Sequence, residues 1–139
     1  MKHLLSNPWH EIVRFDRGEE AVAALAAFVK ESNIRAGWIF AIGSADMVEL
    51  SYYDTKKRAY ARRTFREFLE VVGVSGNISW RSGEPALHLL GSFGRTDYST
   101  VSGHIHSLQS AATLEVFIHK IDGELTRAQD SGTGLTLLQ

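Results

Sequence analysis

The first quarter of the chain contains apolar residues that recur with a helical period. Between positions 22 and 29 their spacings are three and four residues, which predicts one amphipathic helix that buries Val22, Leu25, Phe28 and Val29. Asp16 precedes this stretch and is the expected N-terminal cap, since its side chain can accept from the first free backbone N–H groups. Asn33 and Gly37 are expected to end the helix.

From position 38 onward the apolar period shortens to two, which is typical of β-strands. One long predicted strand carries five apolar residues of the same parity, expected to line one face: Phe68, Val72, Val74, Ile78 and Trp80. Gly43-Ser44 is interpreted as a turn between two strands. The predicted strands cover residues 11–15, 38–42, 46–53, 68–80, 86–92, 100–107, 113–120 and 125–128.

These elements predict an α+β fold in which one main helix packs on a strongly bent, mostly antiparallel sheet. Residues 1–139 are expected to form a single domain, because no linker or repeat divides them. Hydrophobic residues make up 44% of the chain, as in an average globular protein. The absence of cysteine excludes disulfides, thiolate metal sites and a cysteine nucleophile.

No apolar run is long enough to span a bilayer, and the first residues lack the pattern of a signal peptide. We therefore expect a cytoplasmic protein without a membrane partner. The formal net charge of −1 gives the whole molecule no electrostatic attraction to nucleic acid.

Three of the six histidines occupy positions from which their rings can meet. His104 and His106 are two residues apart on a predicted strand, so their side chains point to the same face. His88 lies on another predicted strand, and three such imidazoles would leave one position of a zinc ion open for water or a ligand. The alternative is that each is a hydrogen-bonded, half-buried strand residue, and spacing alone favours this alternative.

Glu70 shares its parity with the apolar residues of the long strand around it. A carboxylate on the apolar side is costly unless it is paired or binds a metal, so Glu70 is a candidate catalytic base. The alternative is a bulge near Gly73 that shifts the parity and leaves Glu70 in solvent.

Residues 56–66 carry six basic side chains and no acidic one. Tyr60 and Phe65 lie among them and are able to stack on bases, so the segment is a candidate nucleic-acid contact. The alternative, which the neutral total charge favours, is that the basic residues protect an exposed hairpin edge from aggregation. The six residues are Lys56, Lys57, Arg58, Arg62, Arg63 and Arg66.

The order and spacing of several short segments resemble those of the plants-and-prokaryotes-conserved (PPC) domain family, of the stand-alone prokaryotic type. The resemblance runs from about Arg14 to Leu138, and no AT-hook core of the Arg-Gly-Arg-Pro kind is present. It rests on the segments Gly18-Glu19-Glu20, Ala41-Ile42-Gly43-Ser44-Ala45, Tyr52-Tyr53-Asp54, Leu69-Glu70-Val71-Val72, Ser75-Gly76-Asn77-Ile78, Pro85-Ala86-Leu87-His88, Gly103-His104, Thr113-Leu114-Glu115-Val116 and Gly134-Leu135.

The resemblance implies a homotrimer whose histidines hold a divalent metal, with zinc as the expected ion. His88 and His104 match the histidines of the family pattern. Leu90 stands where that pattern has a second histidine of the first pair, and Ser102 stands where it has a glycine. His106 is the candidate replacement for the missing ligand.

The function expected from these observations is a regulatory, DNA-binding homotrimer with a metal site formed by His88, His104 and His106. A second hypothesis is a small metal-dependent enzyme or a sensor of a small ligand, although no recognisable catalytic motif is present. A third hypothesis is a structural or protein-interaction trimer with vestigial histidines.

Overall fold

The computed structural model describes residues 1–139 and contains one helix, α1 (Ala21–Glu31), and nine strands. The strands are β1 (Lys2–Ser6), β2 (His10–Asp16), β3 (Gly37–Asp54), β4 (Ala59–Phe65), β5 (Leu69–Arg81), β6 (Glu84–Gly94), β7 (Thr100–Lys120), β8 (Arg127–Gln129) and β9 (Thr136–Leu138). Seven of them form one antiparallel sheet in the order β1-β2-β7-β6-β5-β3-β4, and β8 and β9 pair separately. One helix on a large antiparallel sheet confirms the predicted α+β fold class.

The N-cap of α1 lies four residues after the predicted one. Glu20, rather than Asp16, is the N-cap, and its carboxylate accepts from the backbone N–H groups of Val22 and Ala23 at 3.1 and 2.8 Å. The Asp16 backbone N–H instead donates to the Glu19 side chain at 2.8 Å. The prediction for Asp16 was wrong because Gly18, in the left-handed region at φ 80°, turns the chain once more before the helix starts.

The longest pairing in the sheet joins β3 to β7, and each of these strands was predicted as two shorter ones. Gly43 does not sit in a turn: it lies at a bulge of β3, with φ 146°, and the strand continues through it. A Cβ at Gly43 would stand 2.2 Å from the Thr113 carbonyl oxygen, so the close approach of β3 and β7 requires glycine there. The interpretation of Gly43-Ser44 as a turn was therefore wrong.

A second bulge, in the pairing of β5 with β6 between Val71 and Gly73, reverses the alternation of β5. Leu69 and Val71 are buried before it, and Val74 and Ile78 are buried after it. The prediction that all five apolar residues of this strand share one face was wrong, because the bulge exposes Phe68 and Val72. Glu70 is exposed for the same reason, which confirms the alternative proposed for it.

Four strands form a closed ring of pairings: β3 with β5, β5 with β6, β6 with β7, and β7 with β3. α1 covers this closed sheet with Ala21, Leu25 and Val29, against a core that includes Phe15, Ile39 and Phe93. At eleven residues, α1 is too short to be a transmembrane span.

The outer side of the sheet leaves several large apolar side chains in solvent. Phe40 lies at its centre, paired across the ladder with Phe117 on β7. The exposed fractions are 50% for Trp38, 46% for Phe40, 62% for Val72, 49% for Leu90 and 41% for Phe117. We call these five residues the outer apolar face. Patches of this kind are typical of interaction surfaces.

Candidate functional site: a histidine pocket

The three predicted histidines lie together where β6 meets β7. His104 pairs with Leu90 across the two strands, and His88 stands two residues from Leu90 on the same face of β6. The ring centroids of His88 and His104 are 5.1 Å apart, and those of His104 and His106 are 4.8 Å apart. His104 is therefore the middle member of the cluster.

A cavity of about 400 Å³ opens beside His88 and His104. The rings of Tyr53 and Tyr60 form one wall, and Leu87 forms part of another. The C-terminal hairpin of β8 and β9 closes the cavity with Arg127 and with residues 134–137. The hairpin is tied to the sheet by the Tyr53 hydroxyl, which donates to the Thr133 carbonyl oxygen at 2.7 Å.

Ser51 and Tyr60 fix the orientation of the histidine rings from neighbouring strands. Ser51 Oγ lies 2.7 Å from His106 Nε2, which leaves Nδ1 of that ring outside this hydrogen bond. The Tyr60 ring contacts His104 and His106, with centroid distances of 5.5 and 5.8 Å. No local pattern indicates this role of Ser51, because its partner lies 55 residues away.

All three histidines are neutral at physiological pH. Burial, together with the charges that His88 and His106 would carry if protonated and the charges of Arg62 and Arg127, lowers the pKa of His104 to about 4. Burial also lowers the pKa of His88 and of His106, again assisted by arginine charges. A neutral imidazole has a free lone pair, which is the form that binds a metal ion.

Arg127 is the residue of the pocket that sequence reasoning missed. Its guanidinium is partly buried and donates only to neutral acceptors: Ser79 Oγ at 2.7 Å, Asn77 Oδ1 at 2.8 Å and the Thr136 carbonyl oxygen at 2.8 Å. No acidic side chain lines the cavity. Arg127 lies on a three-residue strand, and its partners on β5 are about 50 residues away, so no local pattern indicates this role.

The donor set fits a metal in its chemistry, whereas the side-chain conformations are not those of a metal-bound site. Two imidazoles on one tetrahedral zinc ion, with Zn–N distances of about 2.0–2.1 Å, have centroids about 5 Å apart, close to the 5.1 and 4.8 Å observed here. However, no group of three or more His, Asp or Glu side chains is arranged to hold a metal ion. Metal binding by all three residues therefore requires at least one of the rings to rotate.

Glu70, the candidate catalytic base, is not part of this pocket. It pairs with Gly94 on β6, six residues along that strand from His88. At about 3.3 Å per residue this register places Glu70 about 20 Å from His88 and about 13 Å from His104, which pairs with Leu90. The structure brings the three histidines together but leaves Glu70 exposed at the opposite end of β6.

The six basic residues of the candidate nucleic-acid segment lie in the exposed hairpin of β3 and β4. Arg62 donates to Glu49 at 2.9 Å, and Arg58 donates to the Gly132 carbonyl oxygen at 2.9 Å. Arg63 lies over the Phe65 ring at 4.8 Å, and Lys57 is 3.9 Å from the Asp54 carboxylate. Only Lys56 and Arg66 have no side-chain partner, so intramolecular contacts engage most of the patch.

Comparisons with known proteins identify the fold. A structure from Bacteroides thetaiotaomicron, named as a candidate DNA-binding protein, is 31% identical with a TM-score of 0.94 and covers 99% of this chain and 96% of its own. A metal-containing protein from Archaeoglobus fulgidus is 31% identical with a TM-score of 0.88, over the same shares of the two chains. No curated protein matches the chain.

A third similar structure is a plant- and prokaryote-conserved (PPC) protein from Pyrococcus horikoshii, 22% identical with a TM-score of 0.84 over 96% of this chain and 97% of its own. At this identity the likeness shows a shared fold. The sequence profile of the Plants and Prokaryotes Conserved (PCC) domain, the family that the sequence motifs resemble, matches residues 10–122. The chain therefore belongs to the Plants and Prokaryotes Conserved domain family.

Proposed function

We propose that this protein is a homotrimeric regulatory protein whose histidine pocket binds a divalent metal, with zinc as the expected ion. The observation that supports the metal site is the convergence of His88, His104 and His106 from two strands, with neutral rings about 5 Å apart. The metal-containing relative from Archaeoglobus fulgidus supports the same proposal. A metal held there would act as a Lewis acid toward a ligand in the adjacent cavity.

The test of the metal site is a competition titration of zinc against a chromophoric chelator. Wild-type protein is expected to bind one zinc ion per chain, and His104→Ala should weaken binding about 100-fold, because the central ligand is lost. His10→Ala is the matched control, since His10 lies on β2 outside the cluster. Equal weakening in both variants, or no stoichiometric binding by wild type, would contradict the proposal.

The outer apolar face supports the homotrimer. A second copy of the chain is the occupant proposed for it, because Phe40 and its neighbours form a continuous patch across β3, β5, β6 and β7 that this chain leaves exposed. Light scattering after size-exclusion chromatography should give three times the monomer mass for wild type and the monomer mass for Phe40→Asp. Tyr98→Asp, at a side chain that is 94% exposed and outside the outer apolar face, should remain trimeric. A monomeric wild type would overturn this part of the proposal.

DNA binding is the second candidate function. The relative from Bacteroides thetaiotaomicron carries that description, and the β3–β4 hairpin presents six basic residues that a trimer would display three times. Fluorescence anisotropy with a labelled duplex should show salt-dependent binding, weakened in Lys56→Ala/Arg66→Ala because these two side chains have no partner within the chain. Lys2→Ala is the control, since Lys2 is paired with Asp16 at the far edge of the sheet. An unchanged salt slope would exclude the hairpin as the phosphate contact.

The remaining expectations stay predictions. The organisation of residues 1–139 as one domain and the cytoplasmic localisation both derive from the sequence alone. Expression with a fluorescent tag tests the localisation, and limited proteolysis tests the domain organisation.

A further inference from the structure

Arg127 carries a partly buried charge that no acidic side chain of this chain neutralises. Each of its three hydrogen-bond acceptors is a neutral oxygen, from Ser79, Asn77 and Thr136. A guanidinium remains protonated at any physiological pH. Removing an ion from water is costly unless an opposite charge compensates it, so the structure holds a cation in the wall of the cavity with its counter-charge absent from the chain.

The rest of the cavity lining adds positive charge and no negative charge. Arg58 and Arg81 also line it, and none of its lining residues is acidic. The influence of Arg127 reaches the histidines, since its charge contributes to the lowered pKa of His88 and of His104. The electrostatic potential inside the cavity is therefore positive on the side of the C-terminal hairpin.

Apolar side chains line the remainder of the same cavity. Leu87 projects from β6, while Leu135 and Leu137 come from the C-terminal hairpin. A cavity of about 400 Å³ that combines an apolar wall with a few polar groups is typical of small-molecule sites. A volume of about 400 Å³ suits a small molecule and is too small to admit a nucleic-acid duplex.

We propose that this cavity binds a small organic anion, with its carboxylate or phosphate group on Arg127 and its carbon skeleton against Leu87, Leu135 and Leu137. The two oxygens of such a group match the planar fork of donors that a guanidinium presents. The profile of the family ends at residue 122, so Arg127, Leu135 and Leu137 lie outside the matched region. The inference concerns the pocket of the proposed metal site and specifies its ligand class, but anion binding through Arg127 needs no metal.

The test is a titration followed by heteronuclear NMR, at constant ionic strength and in the presence of a metal chelator. The probes are butyrate, butyl phosphate and the neutral isostere butyramide. At least one anion should give saturable shifts of the Arg127, Leu135 and Leu137 amide signals, with an affinity about tenfold or more above that of butyramide. The preferred anion then distinguishes a carboxylate ligand from a phosphate ligand.

Three variants separate the pocket from a general effect of charge. Arg127→Gln should weaken binding of the preferred anion about tenfold. Arg81→Glu should weaken it about fivefold, and this variant keeps the test valid if Arg127→Gln disturbs the hairpin, because Arg81 is exposed and makes no side-chain hydrogen bond. Arg17→Glu carries the same charge change before α1, away from the cavity, and should stay within about twofold of wild type.

The outcomes distinguish the anion site from the metal site. His106→Ala should lose zinc but keep anion binding, because His106 does not line the cavity. Equal binding of butyramide, no saturable anion binding, or equal weakening in Arg17→Glu and Arg81→Glu would each overturn the anion proposal. A wild-type protein that binds butyrate or butyl phosphate but no zinc would contradict only the metal proposal.

Discussion

Glu11 is buried and Arg127 is partly buried, and the chain compensates their charges differently. Glu11 is buried on β2, where Lys120 Nζ donates to it at 2.6 Å, His3 contacts it at 2.7 Å and Ser6 donates at 3.0 Å. Arg127 has three neutral acceptors and no acid. A buried charge that is neutralised within the chain stabilises the fold. An uncompensated charge contributes little to stability, and its position beside a cavity indicates a ligand-binding site.

The pKa of Glu11 reflects the neutralising contacts of its carboxylate. Burial alone would raise the pKa of this carboxyl group, but the hydrogen bonds from Lys120, His3 and Ser6 outweigh burial and lower the pKa below its ordinary value of 4.5. A lowered pKa in the folded state means that the carboxylate contributes stability at neutral pH. That contribution disappears as the pH falls through the lowered pKa.

The largest expected effect comes from the bulge at Gly43, where β3 passes close to the backbone of β7. Gly43→Ala should lower the free energy of unfolding by about 4 kcal/mol, because the new Cβ meets the Thr113 carbonyl oxygen. Gly83→Ala is the matched control: its φ is also positive, but a Cβ there has no atom within 4 Å, so the cost should be about 1 kcal/mol. Urea denaturation measures both, and equal losses would contradict the close approach at Gly43.

Next in size is the pair at Glu11. Lys120→Met should lower the free energy of unfolding by about 3 kcal/mol at pH 7, because it leaves a buried carboxylate without its cation. The difference from wild type should shrink as the pH falls below 4.5, since protonation of Glu11 removes the uncompensated charge. Urea denaturation between pH 7 and pH 3 measures this, and a loss that is constant with pH would contradict the assignment.

Arg127→Met should cost less, about 1–2 kcal/mol at pH 7. The substitution removes three hydrogen bonds, but it also removes a charge whose partial burial is unfavourable, so the two effects oppose each other. The same denaturation experiment ranks it against Lys120→Met. If Arg127→Met were the more damaging of the two, the guanidinium would be a structural group and the contrast with Glu11 would fail.

Ser51→Ala should have the smallest effect on stability, about 1 kcal/mol, because one hydrogen bond to a half-buried ring is lost. Zinc affinity should fall about tenfold, since His106 loses the group that orients it. Ser107→Ala is a control on the same strand as His106, with a weaker contact to Glu20 at 3.2 Å. An unchanged zinc affinity in Ser51→Ala would show that Ser51 does not orient a zinc ligand.

The sequence predicted the histidine cluster because alternation on a strand is a local rule. His104 and His106, two apart, share a face, and the pairing of β6 with β7 brings His88 to them. The same rule failed for Phe68 and Val72, where a bulge near Gly73 reverses the faces of β5. A bulge depends on the pairing between neighbouring strands, which the sequence of one strand alone does not specify.

Contacts between distant segments were the other part that the sequence did not reveal. Arg127 reaches the pocket through Asn77 and Ser79, and Ser51 reaches His106 across the long β3–β7 pairing. The N-cap was missed for a similar reason. Glu20 also accepts from the Leu108 backbone N–H at 3.3 Å, so the start of α1 is fixed partly by β7 rather than by its own sequence.

X-ray absorption spectroscopy of the zinc-loaded protein tests directly whether the three histidines bind one metal ion, because the multiple-scattering signal counts the imidazoles bound to the metal. We expect three histidine rings at Zn–N distances of about 2.0–2.1 Å in wild type and two in His104→Ala. A spectrum dominated by oxygen ligands, or an imidazole count that His104→Ala leaves unchanged, would show that the three histidines do not form one metal site.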